Sequence, residues 1–105
     1  NAGFGWRQID PDWLGWTPER YVELIQHTVA QDGFALDKAA LDWCDACVLV
    51  LPCGRSAHLE AGYAIGQGKP TFFLLYPEKF EPELMYLLGA RCVTTIQALI
   101  EGLLA

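Results

Sequence analysis

The chain has 105 residues, 52% of them apolar and 19% charged, so it can bury the core of one compact domain and is not a disordered tail. Thirteen acidic residues against seven basic ones give a formal net charge of -6, which argues against a nucleic-acid or anionic-membrane surface built from clustered Lys and Arg. No apolar run reaches the roughly 18 residues of a membrane span, so neither nucleic acid nor membrane is an expected partner.

Residues 1–17 are rich in Gly, Pro, Asp and Trp and show no sustained period, so an aromatic-rich loop is expected there. Its opening residues, Asn1 to Trp6, have neither the basic nor the apolar region of a signal peptide, and the four cysteines, read as reduced thiols, fit a cytoplasmic protein. Position 1 is not Met, so a processed or partial product is expected. Trp6, Trp13 and Trp16 are too many large aromatics for a plain linker; they either pack on the domain or line a ligand site.

Thr17-Pro18-Glu19 is a helix start, with Thr as N-cap and Pro at the first helical position. The spacing of Tyr21, Leu24, Ile25 and Val29 carries that helix to about Gln31, where Asp32-Gly33 ends it. A second helix is expected over about 35–44, with Leu36, Ala40, Leu41 and Trp43 as its buried positions. Cys47 to Leu51 is a continuous β-branched apolar run, as in a central strand covered on both faces. After the turn Pro52-Cys53-Gly54-Arg55, Ser56 opens a helix to about Gln67, closed by Gly68-Lys69-Pro70. A strand at 71–75, a loop at 77–80, a short helix at 81–88, a strand at 91–94 and a helix at 96–104 complete the chain.

This order implies a parallel sheet with right-handed crossovers. Three strands are few, since a sheet covered on both faces usually has about five. The front of a doubly wound domain has no counterpart here, so either the native protein continues upstream or a neighbouring subunit covers an exposed edge.

Cys44 and Cys47 form a CxxC pair, but a metal site would need a second ligand pair, and only His27 and His58 are available. Buried, reduced thiols fit better, and no metal is expected.

Ligands in open α/β sheets bind beyond the carboxyl ends of the strands, which places Leu51 to Glu60 at such an end. With Ser56 as N-cap, the helix start offers free N–H groups to an anion, and Arg55 adds a planar cationic fork. Glu60, about one turn in, is either a nucleophile toward an electrophilic sugar carbon or an acid that complements the helix dipole. His58 either binds a ligand or is exposed; its i+2 relation to Glu60 puts the two on different faces. Gly62 and Gly66, with Ala57, Ala61 and Ala64, imply a helix lying tight on its sheet. Asp45 stands at the strand's amino end as a cap or turn residue, so Asp37 is the better second carboxylate. Met85 and Tyr86 either face a base or pack in the core.

From Ala35 to Pro70 the chain resembles the nucleoside 2-deoxyribosyltransferase family. The pattern is Asp37, Asp45, an apolar strand, a Gly/Ser loop, Ser56-Ala57-His58-Leu59-Glu60-Ala61-Gly62-Tyr63-Ala64, and Gly68-Lys69-Pro70. The run from Cys47 to Gly62 is similar to one bacterial branch of that family. The resemblance implies a three-layer, flavodoxin-like α/β fold with a parallel sheet, of which the first βαβ portion is missing here. It implies cleavage or transfer at the N-glycosidic bond of 2-deoxynucleosides or their monophosphates, through a deoxyribosyl ester of Glu60. Asp37 would bind or protonate the base, while Gly54, Arg55, Ser56, His58 and Met85 would contact the substrate. The implied enzyme is a homodimer or higher homo-oligomer that uses no cofactor.

Two departures stand out. The family's opening strand, with its Tyr-x-Ala-Gly-like turn, has no counterpart, so a chain truly starting at Asn1 is expected to show little activity. Where classical transferases carry an acid before the Ser/Glu segment, Arg55 stands here, which tilts the expectation toward nucleotides. The alternatives are a non-catalytic nucleotide-binding module of the same fold and an oligomerising structural domain.

Overall fold

The computed structural model describes residues 3–105. It is a mixed α/β structure that divides into two compact units, Asn1–Ala40 and Leu41–Ala105. None of the helices among the described residues is long and apolar enough to cross a membrane.

The second unit contains a three-stranded parallel sheet, β1 (Cys47–Leu51), β2 (Thr71–Leu75) and β3 (Arg91–Val93), in the order β1-β2-β3. Cys47 pairs with Thr71 and Leu51 with Leu75, while Phe72 lies opposite Arg91 and Leu74 opposite Val93. Two-residue alternation then sends successive side chains to opposite faces. Leu49 and Phe73 pack with Ala61 of α3 (Arg55–Gly66), while Phe72, Leu74 and Val93 pack with Leu99 of α4 (Ile96–Leu104). One helix therefore covers each face. The expected strands, their parallel direction and the final helix all appear.

The central strand, however, is β2 and not β1. Four of the five β2 residues are buried, whereas Val48 and Val50 of β1 remain 37% and 48% exposed. The cause is that α4 packs chiefly over β2 and β3. The short helix expected over 81–88 is a 3-10 turn, Leu84–Leu88, whose start is fixed by the Glu83 carboxylate accepting from the Met85 N–H at 2.9 Å. At the start of α4, Thr95 Oγ1 accepts from the Ala98 N–H at 3.0 Å.

The close approaches of helix and loop to sheet fall at glycines other than the expected pair. A Cβ on Gly62 or Gly66 would meet nothing within 4 Å, so neither is required for packing. The contact stripe of α3 is made by Ala57, Ala61 and Ala64 instead. A Cβ on Gly89 would stand 2.3 Å from the Phe73 ring, and one on Gly102 2.6 Å from the Phe72 ring. Those two positions are where only a hydrogen fits.

The helices of the first unit are α1 (Pro18–Leu24) and the start of α2 (Thr28–Trp43). Thr17 caps α1 as expected, its Oγ1 accepting from the Arg20 N–H at 3.1 Å. The break expected at Asp32-Gly33 falls instead at residues 25–27, and α2 runs straight through Gly33. His27 supplies the cap, its Nδ1 accepting from the Val29 N–H at 3.1 Å. Gly33 is retained within the helix because its Cβ would stand 3.0 Å from Cβ of Phe4. Leu36, Ala40 and Trp43, expected to be buried, are exposed, Trp43 by 85%, and Leu41 is half-buried.

Of the loop expected over 1–17, residues 1 and 2 lie outside the described residues; the rest contains two 3-10 turns, Trp6–Gln8 and Trp13–Gly15. Its aromatics pack within the unit: Trp6 lies edge-on to Phe4, Trp16 and Tyr21, with ring centroids 4.8, 5.7 and 6.0 Å away. Trp16 Nε1 donates to Asp10 at 2.8 Å, which holds the Asp10 carboxyl below the ordinary carboxylate range; the Asp12 N–H adds to this.

Candidate functional site

The loop after β1 turns through a cis peptide at Leu51-Pro52 and delivers the chain to α3. The N-cap of α3 is Gly54, in extended conformation, and not Ser56, which is the helix's second residue. No side chain caps this end, so its first N–H groups stay open. Arg55, the first helical residue, and Ser56 are both exposed there. Because α3 begins at Arg55, Glu60 is its sixth residue and lies beyond the first turn. The field of a helix end falls off within that turn, so neither dipole complementation nor a strong electropositive tip accounts for Glu60.

The end of α3 is fastened through the C-terminus of α2. Lys69 Nζ donates to the carbonyls of Leu41 and Asp42, the latter at 3.0 Å, and so satisfies orphan acceptors of α2. The Asp42 carboxylate accepts from Tyr63 Oη at 2.6 Å and Gln67 Nε2 at 2.9 Å.

Helical geometry separates His58 from Glu60 by about 200°. On the His58 flank, the ring's Nδ1 lies 2.9 Å from the Gly54 carbonyl oxygen and its Nε2 2.9 Å from Tyr86 Oη. A carbonyl only accepts, so in the neutral ring Nδ1 carries the proton and the Tyr86 hydroxyl donates to Nε2. Tyr86 also stacks on Phe73, with centroids 4.3 Å apart, and lies roughly parallel to His58 at 5.9 Å. Burial pushes the Tyr86 phenol up, with charge from Cys53, Glu83, Cys92 and Glu81 adding to it, so it stays a donor.

Two cavities share His58, Tyr86 and Glu83 as walls. The first, about 230 Å³, lies at the carboxyl ends of β1 and β2 and is completed by the loop from Tyr76 to Glu83. The second, about 240 Å³, is more apolar and reaches Gly62, Ile65, Met85 and Leu88. Met85 thus lines a cavity, and Gly62 faces open space in place of the sheet.

Glu60 stands on the other flank and lines neither cavity. It is partly buried, neither sealed under protein nor fully in solvent. Its carboxylate lies within electrostatic reach of Cys47, the first residue of β1. Burial, the neighbouring Cys44 and Glu60 together push the Cys47 thiol up. Asp37 is exposed in the middle of α2, since that helix begins at Thr28 and not near residue 35.

The thiols are less deeply buried than expected: Cys44, Cys47 and Cys53 are intermediate and Cys92 is exposed. Cys53 Sγ lies 3.6 Å from His58 Nδ1, but the Gly54 carbonyl occupies that nitrogen and burial pushes the thiol up. A thiolate–imidazolium pair is therefore disfavoured. No group of three or more His, Cys, Asp or Glu among the described residues could hold a metal ion.

Sequence reasoning singled out His58, Met85 and Tyr86 but missed Tyr76, Glu78 and Phe80. The available signal was the position of Tyr76 directly after the carboxyl end of β2. Compared with known proteins, the chain matches no family model, no curated protein and no solved structure.

Proposed function

We propose that this chain is an N-glycosidic enzyme acting on 2-deoxynucleosides or their monophosphates, with Glu60 as nucleophile. The observation that carries the proposal is the run Ser56-Ala57-His58-Leu59-Glu60-Ala61-Gly62, set on a helix that follows a parallel strand. The sheet order β1-β2-β3 and the helix on each face are compatible with the flavodoxin-like fold that the resemblance implies.

In the proposed reaction a Glu60 oxygen attacks C1 of the deoxyribose, the C–N bond breaks, and the base leaves with the bonding pair and takes up a proton. Water or a second base then attacks the same carbon and frees the carboxylate. The open α3 N-terminus and Arg55 support a phosphate-bearing substrate. The roles of Asp37 in protonating the base, and of a homodimer in completing the site, come from the resemblance alone.

Turnover of deoxynucleosides and deoxynucleoside monophosphates by the protein, abolished in Glu60→Ala, is the expected result. Turnover that persists in Glu60→Ala contradicts the assignment. One observation favours a second reading, a non-catalytic nucleotide-binding module: neither cavity is lined by Glu60. Ribonucleotide binding without cleavage of any deoxynucleotide would select it.

A further inference from the structure

We infer that the face of the sheet carrying α4 is a self-association surface, and that its occupant is a second copy of this chain. The inference does not rest on the reading of Glu60, because α3 and α4 cover opposite faces of the sheet. Val48 and Val50 lie opposite Phe72 and Leu74, so their side chains share the α4 face. Since α4 packs chiefly over β2 and β3, a groove is left over β1, with those two valines as its floor.

Helix geometry fixes which side of α4 walls that groove. Arg91 of β3 donates to the Ala98 carbonyl at 3.0 Å, so Ala98 lies on the β3 side. Leu99 faces the sheet. A further step of about 100° turns the helix toward β1 and puts Ile96, Ile100 and Leu103 on that side. These three and the two valines are between 37% and 52% exposed, and Leu104 is more so. Only Gln97 and Glu101 of α4 are polar, and they bond to each other away from the sheet. A helix apolar over most of its circumference is a buried helix, yet here only one side is covered.

The occupant follows from shape, area and charge. The space beside α4 takes a helix, and the surface offers both parts: an apolar helix flank and the groove that receives one. Such a surface is self-complementary, and two copies close about a two-fold axis. The six apolar side chains expose on the order of 500 Å² per copy, well over half of the about 800 Å² that a stable interface takes from each partner. None of the six is charged, so they offer nothing to a partner selected by opposite charge.

The test is sedimentation velocity of the full chain over a wide range of concentration, with hydrogen exchange measured at both ends of the range. A reversible monomer–dimer equilibrium is expected, with added protection at 47–51 and 96–104 in the dimer. Ile100→Lys should weaken association at least about tenfold and Val50→Thr about threefold. Both positions are half-exposed and both replacements suit their element, so thermal melts should stay near wild type. Added salt should tighten the dimer, because each copy carries a net charge of -6. A monomer at every concentration, as when another segment or a different protein covers the face, would overturn the inference. So would protection confined to other elements, a dimer that Ile100→Lys leaves intact, or one that salt dissociates. Cleavage of deoxynucleosides is not part of this readout, so failure here and failure of Glu60 as nucleophile are told apart.

Discussion

The two flanks of α3 differ in almost every physical respect. The His58 flank is walled: stacked rings, a hydrogen-bond chain from Gly54 through His58 to Tyr86, and two cavities. The Glu60 flank stands beside β1, an edge strand. The motif that resembles a glycosidic enzyme points to the second flank, while these two cavities belong to the first. A sequence motif marks a reactive group, but the pocket around it is built by segments distant in the chain.

The largest expected effect separates the flanks directly. Glu60→Ala should lower deoxynucleoside turnover by about a thousandfold or more while leaving the melting temperature nearly unchanged, because the side chain caps nothing. His58→Ala should do the reverse, costing stability with a far smaller loss of turnover. Parallel kinetics and thermal melts check both, and a turnover loss from His58→Ala equal to that from Glu60→Ala would erase the distinction.

Next in size is Gly89→Ala. Its methyl would stand 2.3 Å from the Phe73 ring and 2.8 Å from the Thr71 carbonyl oxygen, and the backbone atom cannot yield. A loss of about 3 kcal/mol is expected from denaturant unfolding, with the Tyr86 stack disrupted as well. Lys69→Met should cost about 1–2 kcal/mol, because the Leu41 and Asp42 carbonyls lose their ammonium donor. A neutral result would mean that water satisfies those carbonyls equally well.

The smallest effect lies in the first unit. Asp10 has its pKa depressed in the fold, so its contribution is present above the ordinary carboxylate pKa and lost as pH falls through the lower folded value. Trp16 fluorescence should therefore change in an acid titration run from about pH 6 to about pH 2, and Asp10→Asn should flatten that change. An unchanged profile in Asp10→Asn would show that another group sets it.

Elements whose signals are local were legible in the sequence. Thr17-Pro18 announces its helix by capping chemistry, and β1 and β2 by short β-branched or aromatic runs. The break between α1 and α2 was not, because Asp32-Gly33 carries a stop signal whose glycine is needed against Phe4, while His27 is an uncommon cap. Gly62 and Gly66 carried the look of packing residues, yet Gly89 and Gly102 do the packing; only the partner rings of Phe73 and Phe72 reveal it. The candidate nucleophile came from one contiguous run, Ser56 to Gly62. The cavity needs Leu51, His58, Tyr76 and Tyr86 together, a meeting set by strand order.

The most direct measurement is intact-mass analysis of the protein quenched in acid during incubation with a deoxynucleoside or its monophosphate, followed by peptide mapping. A gain of one deoxyribosyl unit on the peptide containing Glu60, absent in Glu60→Ala, is the expected result. Released base with no such adduct, or an adduct that survives in Glu60→Ala, would contradict the account.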